Sequence, residues 1–308
     1  MRGPDFDRDG RNWPHRSTSR FTDAGLIHWH IQIMGDQSAP VVLLVHGTGA
    51  ATHSWRHLAP LLANEYCVVA MDLPGHGFTS FPRDSNLDES FSVNGMARGL
   101  GALMTALSLK PKFAIGHSAG ACIITRMALN GLIQPDILIG LNAAMRPMPI
   151  LPARFFTSLA KMAAIAPMMP EFFAWRASDM RMVRRLIEGT GSHLDDEGLQ
   201  LYRFLGAQPR HVEAAFRMMA NWNLEQLYRD LPKLKMPMHF IVGDDDRAIA
   251  PSDSKYVARQ ISQSKLHHLP GLGHLAHEES ASAVAGLIAG ITLSHEPEPA
   301  QFAEQGVI

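Results

Sequence analysis

Phe113-Ala114-Ile115 runs straight into Gly116-His117-Ser118-Ala119-Gly120, and this stretch decides the fold. A G-x-S-x-G pentapeptide between an apolar strand and a helix puts its serine on a sharp, strained turn, with Oγ exposed at the top of a sheet. Such a turn has little room beyond the backbone, and Gly116, Ala119 and Gly120 ask for almost none. The next residues, Ala121 to Leu129, read as a buried helix that Gly131 stops. The helix N-terminus points free N–H groups and its positive dipole end at the serine.

A serine elbow of this kind predicts an acid and then a histidine downstream. His239-Phe240-Ile241-Val242 is a strand candidate that leads into Gly243-Asp244-Asp245-Asp246. Leu266-His267-His268-Leu269 is another, leading into Pro270-Gly271-Leu272-Gly273-His274. In both, a short apolar strand ends in a Gly-containing loop that carries the reactive residue. Parallel α/β sheets place their sites there, at the carboxyl ends of strands. Ser118 is the expected nucleophile, His274 the base and then acid, and Asp246 the residue that orients His274, with Asp244 and Asp245 as competitors. The oxyanion would be held by backbone N–H groups of Ala119 and of Thr48, the latter in His46-Gly47-Thr48-Gly49-Ala50 after the strand Val41–Val45.

His46-Gly47-Thr48-Gly49, Trp55, Asp72-Leu73-Pro74-Gly75-His76-Gly77, the elbow, the Asp loop and Gly273-His274 follow one another in an order that resembles the α/β-hydrolase superfamily, from about residue 20 to 290. Gly3-Pro4-Asp5-Phe6, Asn12-Trp13-Pro14, Arg16, Ala51-Thr52-His53-Ser54-Trp55, Asn221-Trp222-Asn223-Leu224 and Leu269 to Glu279 are similar to one branch, the magnesium-chelatase accessory hydrolases of bacteriochlorophyll biosynthesis. The resemblance implies a mostly parallel central sheet flanked by helices, with an inserted helical cap. It implies a pathway and no substrate. The family spacing of Gly, two variable residues and Asp favours Asp246 over its neighbours, and the Gly-His step favours His274 over His267 and His268. A Ser nucleophile also disfavours haloalkane dehalogenation and epoxide hydrolysis, which run through Asp in this superfamily.

A chain of 308 residues is long enough for one large core plus an insertion. Apolar residues make up 46% and charged residues 19%, as in a globular protein, and a net charge of −1 gives no support to nucleic-acid binding. Cys67 and Cys122 read as buried small hydrophobes, which fits a reducing cytoplasm. No apolar signal core opens the sequence and no run of 18 apolar residues spans a membrane.

The expected organisation is an N-terminal extension at 1–19, a core at 20–142 and 231–293, a helical cap at 143–230 and a disordered tail at 294–308. Ile27, Trp29, Ile31 and Ile33 alternate with His28, His30 and Gln32 as a half-buried strand. His28 and His30 read as surface histidines, since spacing places no third metal ligand. His46 and His76 read as structural, His117 as orienting the elbow, and Asp72 as fixing the Pro-Gly-His-Gly turn by accepting backbone N–H bonds.

The cap holds nine of the seventeen methionines, with Phe155, Phe156, Phe172, Phe173, Trp175 and Trp222. Ordinary helix-to-core packing explains such a set. A wide apolar pocket for a large flat ligand such as a tetrapyrrole explains it too, with Trp175 and Trp222 lining it. Arg176, Arg181, Arg184 and Arg185 read as a solvated helix face, or Arg181 and Arg184 clamp ligand carboxylates. Peripheral membrane contact by the segment 147–175 is opposed by Pro152, Pro167 and Pro170.

The expected chemistry is hydrolysis of an ester or thioester, with no metal or organic cofactor implied. The expected partners are a small apolar ester or tetrapyrrole-type ligand and a magnesium-chelatase subunit. The rivals are a non-catalytic porphyrin-binding or chelatase-assisting protein, and a C–C hydrolase or cofactor-free haloperoxidase on the same three residues.

Overall fold

The uninterrupted apolar runs become strands buried on both faces, as parallel strands covered by crossover helices must be. The computed structural model describes residues 3–83, 86–147 and 168–295. Its strands are β1 (Ser19–Ala24), β2 (Ile27–Met34), β3 (Val41–Val45), β4 (Cys67–Met71), β5 (Phe113–His117), β6 (Ile137–Leu141), β7 (Met238–Gly243) and β8 (Ser264–Leu269). They form one sheet in the order β1-β2-β4-β3-β5-β6-β7-β8. β2 pairs antiparallel with β1 and β4, and all other pairings are parallel. This is the expected α/β-hydrolase architecture.

Side chains alternate across the sheet. Leu43 and Val45 join a core with Leu100 and Ile123, from the helices Val93–Ala106 and Ala119–Leu129. Val42 and Leu44 join a second core with Leu58 and Ile288, from Leu58–Leu62 and Ala281–Leu293. From β3 the chain steps outward to β4 and then returns to β5 on the other side. Open α/β sheets bind ligands beyond the carboxyl ends of the strands at such a reversal, here β3 and β5. The register aligns Val45 with Gly116, His117 with Leu141, and Gly243 with Leu269, so the loops after these strands emerge side by side.

Some elements differ from expectation. β1 was not expected, because Ser19-Arg20-Phe21-Thr22-Asp23 is largely polar and only Ala24 is buried. After β3 the chain forms a 3-10 turn, Thr52–Trp55, followed by the short helix Leu58–Leu62. The N-terminal segment lies on the core, with Trp13 buried and its Nε1–H donating to Thr52 Oγ1 at 3.0 Å. His30 is a correction: it is fully buried, because Asp72 Oδ2 lies 2.7 Å from its Nδ1 and gives the ring a partner inside.

Between β6 and β7 the described chain is helical: Met169–Ala177, Met180–Gly189, Asp196–Gly206, Pro209–Ala220 and Glu225–Asp230. Phe155 and Phe156 lie outside the described residues, as does the expected disordered tail beyond 295. No described helix is long and apolar enough to cross a membrane.

Candidate active site

Ser118 has φ 52° and ψ −115°, between the end of β5 and the helix Ala119–Leu129. A non-glycine residue at such a positive φ costs about 1–3 kcal/mol and persists only where its surroundings impose it. Here they do. The Ser118 N–H donates to the Leu141 carbonyl at 2.9 Å, and the Ser118 carbonyl accepts from Ala121 and Ala144, each at 3.2 Å. A Cβ on Gly116 would lie 2.4 Å from the Ala121 nitrogen, and one on Gly120 would lie 2.1 Å from the Val45 oxygen. Both glycines of the pentapeptide are thus demanded by backbone contact. Ser118 itself is half-buried.

Asp246 and His274 come from the loops after β7 and β8. His274 Nδ1–H donates to Asp246 Oδ2 at 2.8 Å, which leaves Nε2 as the ring nitrogen not engaged by the acid. Asp246 Oδ1 accepts the N–H groups of Ala248 and Ile249, both at 2.8 Å. Asp244 and Asp245 are exposed, and Asp244 pairs with His268 at 2.6 Å. Among the described residues no hydrogen bond links Ser118 Oγ to His274.

The loop after β3 presses against the elbow. A Cβ on Gly47 would lie 3.0 Å from Ser118 Cβ and 3.0 Å from His117 Nδ1, so a larger residue there would crowd the elbow. His46 fixes the loop from behind: its Nδ1–H donates to the Gly47 carbonyl at 2.7 Å, and its Nε2 accepts the Leu73 N–H at 2.8 Å. That pattern requires a neutral ring, and burial pushes its pKa down. Ala119 is the first residue of its helix, so its N–H has no acceptor within the helix.

The cap helix Pro209–Ala220 closes over these loops. Thr48 Oγ1–H reaches Met218 Sδ at 3.4 Å. His211 donates from Nε2–H to the Gly49 carbonyl at 3.0 Å and accepts the Gly77 N–H at Nδ1 at 3.1 Å. Burial pushes His211 down to about 4. Asp72 accepts the N–H groups of Thr52 at 2.7 Å and Phe78 at 2.9 Å. Burial acts to raise its carboxyl, but His30 and these N–H bonds outweigh that and hold it well below the usual range.

Asn142 and a buried ion pair were not expected from sequence. Asn142, directly after β6, is buried at φ 46° and donates from Nδ2 to Asp246 Oδ2 at 2.8 Å. An asparagine just past a buried strand, where a positive φ is tolerated, was the available signal. Arg56 and Glu278 form a buried ion pair that Tyr202 of the cap joins, its hydroxyl donating to Glu278 Oε1 at 2.7 Å.

The expected pocket residues lie on the helices Met169–Ala177 and Met180–Gly189 and just after Pro209–Ala220. Trp175 is 66% exposed on the helix Met169–Ala177. Trp222 is half-buried and packs against the core cluster that includes Cys122 and Met218. Arg181 and Arg184 are solvated, pairing with Asp179 at 3.4 Å and Asp196 at 3.1 Å. Asp179 caps the helix that carries both arginines, and Asp196 opens the next one. Among the described residues no group of three His, Cys, Asp or Glu side chains is arranged to hold a metal ion.

Residues 42–287 match the model of the alpha/beta hydrolase family. With the elbow, the sheet order and the loops in place, the chain belongs to that family. It is similar to the magnesium-chelatase 30 kDa subunit of Rhodobacter capsulatus, with 34% identity over 277 residues, 90% of this chain and 95% of that one. It is also 36% identical to a fluoroacetate dehalogenase of a Burkholderia species, over 122 residues that make up 40% of this chain and 38% of that one. Among solved structures, a thermophilic esterase from Thermogutta terrifontis superposes with a TM-score of 0.71 at 24% identity, over 90% of this chain and 100% of that one. At that identity the likeness speaks for the fold.

Proposed function

We propose that this protein is a serine hydrolase of acyl esters or thioesters, with Ser118 as nucleophile, His274 as general base and Asp246 as its orienting acid. The observation that carries the reading is the strained Ser118, φ 52°, on the same sheet edge as a His274–Asp246 pair at 2.8 Å. His274 Nε2 takes the Ser118 proton as Oγ attacks the substrate carbonyl. Asp246 accepts from Nδ1–H and stabilises the imidazolium. The Ala119 and Thr48 N–H groups hold the oxyanion, each contributing roughly 100- to 1000-fold in rate. The tetrahedral adduct collapses, the alcohol or thiol leaves with the proton from His274, and water resolves the acyl-serine by the same steps in reverse. The steps use no cofactor. Labelling with a fluorophosphonate, read by mass spectrometry, tests this. An adduct on Ser118 that is lost in Ser118→Ala is expected, and an unlabelled wild type would overturn the reading.

A finer reading concerns the pathway. The 34% identity to a protein named as a magnesium-chelatase subunit, over nearly the whole of both chains, supports an accessory role at the magnesium-insertion stage of bacteriochlorophyll synthesis. Deleting the gene in a phototroph is expected to lower bacteriochlorophyll. Rescue by wild type and not by Ser118→Ala would join the two readings. Rescue by both would favour a porphyrin-binding or chelatase-assisting role that does not use the serine, and unchanged pigment would count against the pathway.

A further inference from the structure

We infer that the cap segment Thr190–His193 is a clasp that positions His274, so that the alignment of the base is set by the cap and not by the core alone. This rests on the reading of His274 as the base for Ser118. The loop of His274 has three successive backbone N–H groups, and each is taken by the clasp or by a side chain that also holds the clasp. The Gly273 N–H donates to Glu279 Oε1 at 2.9 Å, and Glu279 Oε2 accepts the His193 N–H at 3.0 Å. The His274 N–H points to the Thr190 carbonyl at 3.4 Å. The Leu275 N–H donates to Ser192 Oγ at 2.8 Å, and Ser192 is fully buried.

The clasp reaches the acid loop as well. The same Thr190 carbonyl accepts the Arg247 N–H at 3.0 Å, one residue past Asp246. One cap carbonyl therefore ties the loops of acid and base together. The two backbones touch: a Cβ on Gly273 would lie 2.3 Å from the Gly191 carbonyl carbon, and one on Gly191 would lie 2.0 Å from the Asp245 oxygen. Gly191 stands at φ 85°, where a side chain would be strained as well as blocked. From the elbow side, His117 Nε2–H donates to the His274 carbonyl at 2.9 Å. A histidine loop without such bonds would have to satisfy its buried N–H groups in another shape.

Ser192→Ala tests the clasp. The folded variant is expected to label at Ser118 roughly 10- to 100-fold more slowly, as for a base displaced by about 1 Å. With p-nitrophenyl butyrate the loss falls on kcat while KM stays nearly unchanged. Hydrogen exchange of the peptide containing Gly273–Leu275 quickens while β5 exchanges as before. Glu279→Gln, which keeps only one carbonyl acceptor, is expected to act in the same direction and stands in if Ser192→Ala fails to fold. Wild-type labelling and exchange in both variants would overturn the inference, and so would faster exchange spread evenly over the whole chain. If wild type does not label at Ser118, it is the hydrolase reading that falls, and the exchange of 273–275 still decides the clasp.

Discussion

Asn142 Nδ2 donates to Asp246 Oδ2 over 2.8 Å, so the residue after β6 holds the acid that follows β7. With His274, Ala248 and Ile249, it completes four hydrogen bonds to one carboxylate. A carboxylate has about four acceptor sites, so Asp246 has no freedom to turn.

Removing one of those bonds should matter less than removing the charge. Asn142→Leu is expected to lower kcat for p-nitrophenyl butyrate roughly tenfold, in the range for outer partners of a reactive group. Asp246→Asn should cost about 10⁴-fold, because the amide favours the wrong tautomer of His274. Equal losses in the two variants would mean that Asn142 does more than hold the acid.

The strain at Ser118 makes a second prediction. Ser118→Gly should abolish fluorophosphonate labelling and raise Tm by about 2–4 °C, since glycine accepts φ 52° without penalty. Ser118→Ala should lose the labelling with no such gain. A glycine variant that melts no higher than the alanine variant would deny the strain.

His211 gives a pH dependence with a definite sign. Its folded pKa is about 4, below the ordinary 6.5, because burial disfavours the imidazolium. The unfolded chain therefore binds the proton first, and the stability this residue confers is lost as pH falls from about 6.5 to about 4. His211→Leu removes that proton site and leaves the Gly77 N–H and Gly49 carbonyl unpartnered, at about 1–3 kcal/mol for each buried group. The gap between variant and wild type in urea midpoints should be widest near neutrality and narrow towards pH 4. A constant gap would show that His211 does not titrate in this way.

Glu278 behaves in the opposite sense. Burial raises its carboxyl, Arg56 and Tyr202 pull it back, and the balance stands at about 7, above the ordinary 4.5. The folded state holds this proton longer, so the contribution to stability falls as pH rises from about 4.5 through 7. Arg56→Met removes the counter-charge and should cost about 3–5 kcal/mol where Glu278 is ionised. The loss should be larger at pH 8 than at pH 6 in denaturation experiments. An equal loss at both would place the effect in packing.

The sequence carried what short-range physics writes into it. β3 is an unbroken apolar run, and β5 and β7 are interrupted only by His117 and His239, because both faces are covered; the elbow needs glycine at Gly116 and Gly120 for contacts within a few residues of the turn or on the adjacent strand. His30 read as a surface residue because its partner Asp72 is 42 positions away. Arg181 and Arg184 suit a solvated face and a clamp alike in residue type, and their pairing with Asp179 and Asp196 is a matter of helix placement that composition does not show. The contacts of Thr190 run through its carbonyl, which every residue possesses, so no residue type could announce them. β1 depends on pairing with β2, since its own pattern buries little.

Trp13 sits in one cluster with Ala51, Phe78 and Leu205, so the arm before the sheet, the loops of the core and a helix of the cap meet in the same place. The family match begins at residue 42. A recombinant protein trimmed to that boundary would keep Ser118, Asp246 and His274 and lose Trp13, β1 and β2. Shortening the chain at its front would then act as a cap mutation made from a distance, and an assay of such a fragment would misjudge the enzyme.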